Sequence, residues 1–150
     1  MHDFNYNIRS VPVGFIKILL KGMIVVRGIG VDIVEIERIK KLIIKYSSHF
    51  LEKVFTPHEI AFCNQKAYPA NHFAGRWAAK EAFYKALPLS FQQYSTWKSV
   101  EIVPDKVSGK PEIRILSPEL LNCLESEKIS SILLSISHER TICTAIVILE

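Results

Sequence analysis

Cysteine is scarce in this 150-residue chain: Cys63, Cys123 and Cys143 are odd in number, widely scattered and form no C-x-x-C pair. That speaks against a disulfide framework or a Cys/His zinc site, and a reducing cytoplasm fits best. The five histidines, His2, His49, His58, His72 and His138, contain no H-E-x-x-H spacing, and a lone histidine is more often structural or exposed than a ligand. The apolar run from Val13 to Gly22 is too short, and too interrupted by Lys17, to span a membrane, and no small-residue cleavage site follows it. Gly28-Ile29-Gly30 lacks the third glycine and the helix context of a dinucleotide fingerprint, which excludes a Rossmann reading. Neither an RNA-binding aromatic signature nor a helix-turn-helix pattern occurs, and the cations are spread over several elements, so a nucleic-acid module is disfavoured. Internal repeats and low-complexity tracts are also missing.

What remains is a chain 49% hydrophobic and 23% charged, long enough for one soluble globular domain, with a net charge of +4 that favours an anionic partner. A second methionine, Met23, stands just before the first patterned strand. The domain is therefore expected at 23–150, with 1–22 as an N-terminal extension or a mis-assigned start. Met23 to Val34 is predicted to be a strand buried on both faces, yet Asp32 interrupts its apolar run. A buried carboxylate without a partner is costly, so Asp32 is expected to cap a helix, pair with a cation or bind a metal.

From Ile36 the period turns helical, with Ile39, Leu42, Ile43, Tyr46 and Phe50 as an apolar stripe and Arg38, Lys41 and Lys45 as a cationic ridge able to receive an acidic helix. Thr56, Pro57 and Glu59 spell a capping box at the start of a short helix, and Pro69 marks a loop. Residues Ala74 to Leu87 form a helix stopped by Pro88, in which Glu81 lies one turn before Lys85, and Ala74, Ala78 and Ala82 leave room for a bulky approach. A polar and aromatic loop follows. Beyond it the pattern predicts a hairpin turning at 104–110, a helix capped by Ser117 with Pro118 at its first position, and two final strands joined at His138-Glu139-Arg140.

Three blocks together resemble the holo-[acyl-carrier-protein] synthases, the small 4′-phosphopantetheinyl transferases. They are Gly28-Ile-Gly-Val-Asp-Ile-Val-Glu-Ile-Glu-Arg-Ile39, Phe73-Ala-Gly-Arg-Trp-Ala-Ala-Lys-Glu-Ala-Phe-Tyr-Lys-Ala-Leu87 and Ser135-Ile-Ser-His-Glu-Arg-Thr-Ile-Cys-Thr-Ala145. The resemblance implies an α+β fold, an antiparallel sheet packed against a long central helix, assembled as a homotrimer with sites at subunit interfaces. It implies transfer of the phosphopantetheine arm of coenzyme A to a serine of apo acyl carrier protein, with Mg²⁺, in fatty acid biosynthesis and without nucleic acid or membrane.

By the same resemblance Asp32 and Glu81 are the metal carboxylates, and Lys85 acts with Glu81 in catalysis by meeting the phosphates. Arg38, with Lys41 and Lys45, meets the carrier protein. Arg76, Gly109, Lys110, Pro111 and His138 stand near the nucleotide. Glu81 and a water at the metal both remain open as acceptors of the serine proton. The stretch 88–97 departs from the family in having no glycine. Two other readings compete: a Mg²⁺-dependent phosphoester hydrolase using Asp32 and Glu81, and a noncatalytic basic module.

Overall fold

The computed structural model describes residues 25–150, so the expected extension 1–22 and the start at Met23 lie outside it. The first strand, β1 (Gly28–Glu35), runs straight into helix α1 (Ile36–Val54). After α2 (Pro57–Asn64) comes the long α3 (Pro69–Ala86), then a 3₁₀ turn (Leu89–Tyr94), the hairpin β2 (Val100–Pro104) and β3 (Pro111–Ile115), α4 (Pro118–Ser126), β4 (Ile132–His138) and β5 (Ile142–Leu149). Two antiparallel sheets result, β1-β5-β4 and β2-β3. The central strand β5 sets Ala145 opposite both Asp32 and Ile136.

Helix α3 lies across one face of the larger sheet. Alternate residues of each strand point at it, among them Val34, Cys143, Ala145, Val147 and Leu149, all buried. Among the described residues nothing covers the other face: Ile29, Val31 and Ile33 are more than half exposed. The expectation that β1 is buried on both faces is thus corrected for the described residues, among which a helix packs on one side of the sheet only.

Glycine sets the depth of the packing. A Cβ on Gly28 would stand 2.0 Å from the Ala86 carbonyl oxygen, and one on Gly30 would stand 2.0 Å from that of Ala82. The backbone of β1 therefore rests directly on α3. Ala74, Ala78 and Ala82 are fully buried, so the small face of the helix receives the sheet and leaves no room there for a ligand. Pro69 also needs correcting: it opens α3 at a first-turn position, where its missing N–H costs nothing.

In α1, Ile39 is buried and Leu42, Ile43 and Phe50 pack against the core, whereas Tyr46 is 45% exposed. Ser47, at φ 46° and ψ −131°, kinks the helix between Tyr46 and Phe50. Thr56 does form the capping box with Glu59. Glu59 then does more. Its Oε2 lies 2.8 Å from Lys80 Nζ in a fully buried ion pair, and its Oε1 accepts from the Ile102 N–H at 2.9 Å. Lys80 Nζ also donates to the carbonyls of Trp97 (2.6 Å), Val100 (2.9 Å) and Val54 (3.2 Å). One ammonium thereby ties α3 to the end of α1, the start of α2 and the strand β2.

Candidate functional site

Close packing of α3 on β1 decides which side chains meet. Asp32 is on the helix-facing side of β1, two residues past Gly30, and α3 carries Glu81 and Lys85 on neighbouring turns. Lys85 Nζ lies 2.8 Å from Asp32 Oδ1 and donates a further hydrogen bond to the Val31 carbonyl at 3.2 Å. Lys85, one turn after Glu81, thus pairs with Asp32 across the interface. Glu81 is only partly shielded; burial pushes its carboxyl up, the Asp32 charge pushes it further, and Lys85 and Arg38 pull it back. Asp32, Glu81, Lys85 and Arg38 therefore form one electrostatic cluster. Arg38 joins it because α1 starts at once after β1.

Beside Glu81 opens a cavity of about 230 Å³, lined by Lys80, Tyr84, Ser95, Thr96, Trp97 and Val100. Its outer wall is the glycine-free stretch. Buried Phe91 anchors the 3₁₀ turn there, and Ser99 Oγ stands 2.7 Å from the Thr96 N–H and 3.2 Å from the Tyr94 carbonyl. Trp97 stacks at 4.5 Å on Trp77, which stacks in turn on Phe50 at 5.8 Å. None of these wall residues was singled out from sequence, and only the pairing of an aromatic loop with the helix next to it hinted at them.

A second cleft, of about 250 Å³, brings together Arg76, Gly109, Pro111 and His138 from four separate elements. Lys110, exposed between the two turn residues, does not line it. The turn is organised by Asp105, whose Oδ1 accepts from the N–H groups of Val107 (3.3 Å) and Ser108 (2.7 Å) and from the Ser108 hydroxyl (2.6 Å). Those bonds hold the Asp105 carboxyl below its usual range. Gly109 adopts φ +70°, a left-handed conformation that favours glycine. Arg76 is nine-tenths buried, with its guanidinium 4.2 Å from the Phe62 ring centroid, and its Nε has no hydrogen-bond partner among the described residues. A buried guanidinium with an unsatisfied Nε–H and no carboxylate paired to it among the described residues fits an anionic ligand.

On α1, Arg38, Lys41 and Lys45 line a shallow groove together with Glu35, Leu42 and Tyr46. All three cations are exposed. The groove starts at the residue that also belongs to the Asp32–Glu81 cluster, so ridge and cluster are continuous through Arg38.

A sheet half covered by one long helix, with two carboxylates and a lysine at their seam, defines the class. The chain belongs to the 4′-phosphopantetheinyl transferase superfamily, whose pattern it matches over residues 28–146. Within that superfamily it is similar to holo-[acyl-carrier-protein] synthases. It is 48% identical to the holo-[acyl-carrier-protein] synthase of Protochlamydia amoebophila over 118 residues, covering 79% of this chain and 93% of that one. The crystal structure of the holo-[acyl-carrier-protein] synthase of Neisseria meningitidis superposes with a TM-score of 0.76 at 36% identity, covering 84% of this chain and 99% of that one. The Helicobacter pylori enzyme of the same name, solved in complex with coenzyme A, gives 0.69 at 31% identity, covering 81% and 99%.

Proposed function

We infer that this chain is a holo-[acyl-carrier-protein] synthase, moving the 4′-phosphopantetheine arm of coenzyme A onto a serine of apo acyl carrier protein and releasing adenosine 3′,5′-bisphosphate. The observation that carries the reading is the meeting of Asp32, Glu81 and Lys85 at the β1–α3 seam of a superfamily member. In the reaction the serine Oγ forms a bond to the β-phosphorus of coenzyme A. The bond from that phosphorus to the bridging oxygen breaks, and the electron pair leaves with the nucleotide.

Asp32 and Glu81 offer hard carboxylate oxygens, with no third His, Cys, Asp or Glu completing a set among the described residues. That donor set suits Mg²⁺, which takes one or two protein carboxylates and fills its octahedron from water and phosphate. When bound, the ion supplies positive charge that draws the diphosphate onto these carboxylates. Lys85, half exposed on a flexible stem, is placed to turn from Asp32 to the leaving phosphate and neutralise its growing charge. Glu81, at the same seam as Lys85, is the carboxylate we assign to take the serine proton. Arg76, His138, Gly109 and Pro111 line the cleft that receives the nucleotide's other phosphate, with Lys110 exposed beside it, and the Arg38-Lys41-Lys45 ridge steers the carrier protein.

We place this activity in the cytoplasm and in fatty acid biosynthesis, and the three cysteines, free thiols in the fold, support a reducing compartment. A homotrimer is supported by the sheet face that no described residue covers. Ile29, Val31, Ile33, Leu133, Ile142 and Ile146 are each at least 38% exposed, and Val31 stands opposite Ile146 across the β1–β5 ladder. Contiguous apolar surface of this kind marks an interface. Light scattering that reports a monomer of 17.1 kDa at working concentration would refute the assembly. The activity itself is tested by mass spectrometry of apo carrier protein after incubation with coenzyme A, Mg²⁺ and the enzyme. One added phosphopantetheine per carrier is expected; nucleotide release without carrier would mark a hydrolase instead.

A further inference from the structure

His72 stands one turn before Arg76 on α3 and lines the same cleft as His138. Its ring meets Phe62 edge-on at 6.2 Å between centroids, and its carbonyl accepts a long 3.4 Å hydrogen bond from Arg76 Nη1. Phe62 also carries Lys66, with Nζ 4.3 Å from the ring centroid. No carboxylate pairs with Arg76 or Lys66 among the described residues. Arg76 and two histidines therefore line a cleft that has no acid among its described lining residues, with Lys66 set on the Phe62 ring at its wall, while Arg76 is buried with its Nε unsatisfied. Such an arrangement repels a proton until an anion arrives.

We propose that His72 is a further binding residue for the phosphate monoester of coenzyme A, taking up a proton as that phosphate enters the cleft beside Arg76 and His138. The proposal rests on the synthase reading above. Coenzyme A carries two kinds of anionic group, a diphosphate and one phosphate monoester. The transferred phosphorus belongs to the diphosphate, which must sit at Asp32, Glu81 and Lys85. The monoester is left for the cleft. Around His72 the charged and titratable neighbours are Arg76 on its own helix, Lys66 from the turn after α2, and His138 from β4. Burial, then these charges in that order, hold its imidazole below the ordinary 6.5. A phosphate dianion between the same groups reverses the balance, since an opposite charge within a few ångströms favours the protonated ring.

The test measures protons and affinity without turnover. Calorimetry of coenzyme A binding to the full chain, in buffers of different ionisation enthalpy, gives proton uptake for the wild type, His72→Gln and Arg76→Met, with 3′-dephospho-coenzyme A as control. The phosphate itself titrates near pH 6, so the difference between wild type and His72→Gln isolates the imidazole. Expected are a smaller uptake in His72→Gln, a several-fold loss of coenzyme A affinity at pH 6 that vanishes by pH 8, and no change for the dephospho form. In the wild type, the His72 ring resonance should titrate about one pH unit higher with adenosine 3′,5′-bisphosphate bound than without. An unmoved resonance, or equal uptake in His72→Gln while Arg76→Met weakens binding, overturns the role of His72 and leaves the cleft assignment standing. Unchanged coenzyme A affinity in Arg76→Met overturns the cleft assignment as well.

Discussion

Lys80 and Lys85 stand five residues apart on α3, and each ammonium lies 2.8 Å from a carboxylate oxygen, yet the two pairs differ in every other respect. The Lys80 side chain is 2% exposed and has three carbonyl acceptors besides Glu59, so its bonding capacity is filled from fixed points of the fold. Burial lowers its pKa even against the pull of Glu59. The Lys85 side chain is 49% exposed and shares Asp32 with one carbonyl only. A short ion-pair distance therefore does not separate a locked pair from one free to exchange partners. What separates them is whether the lysine can let go.

The comparison is broken most directly at the carboxylates. Asp32→Ala or Glu81→Ala should lower transfer about 100-fold or more, if each removes a proposed Mg²⁺ ligand. Stability should stay within about 1 kcal/mol, because neither group belongs to the core. Near-normal turnover with Mg²⁺ in either variant would remove both from the site.

The lysines themselves come next. Lys80→Met leaves Glu59 buried and uncompensated and should cost about 3–5 kcal/mol in urea unfolding. In a double-mutant cycle with Glu59→Gln, the two losses should fall well short of adding. Lys85→Met should cost less than about 1 kcal/mol, as expected for an exposed pair, while turnover falls sharply. If the two variants were equally stable, the division drawn here between the pairs would be wrong.

A smaller effect is expected on the ridge. Charge reversal at Arg38 and Lys41 should raise the Michaelis constant for carrier protein several-fold and leave that for coenzyme A nearly unchanged, and wild-type rates should fall as salt rises. Equal changes for both substrates would make the ridge an ordinary solvated helix face. The smallest effect concerns pH. His72 titrates lower in the fold than its ordinary 6.5, so just below that value the unfolded chain binds a proton that the folded one does not. Its contribution to stability is therefore present above pH 6.5 and lost as pH falls. His72→Gln should flatten the drop in urea midpoint between pH 7.5 and 5.5; an identical slope would deny the shift.

Local chemistry made part of this protein legible before any fold was in hand. The capping box at Thr56, the proline after Ser117 and the hairpin at 104–110 depend on a few adjacent residues, so they could be read in place. Asp32 drew notice because an acid in an apolar strand needs a partner, and its place with Glu81 and Lys85 followed from the resemblance of whole blocks. The fold alone decided what depends on distant segments meeting. Glu59 looked like a cap and nothing more, since Lys80 lies 21 positions further along the chain. The alanine face of α3 looked open until β1 was laid on it. One covered face made β1 half exposed, because burial of a strand depends on what packs on each side and the apolar run carries no record of that. His72 looked like any lone histidine. Its surroundings come from α2, α3 and β4, and the electrostatics of a cleft exist only once those elements close around it.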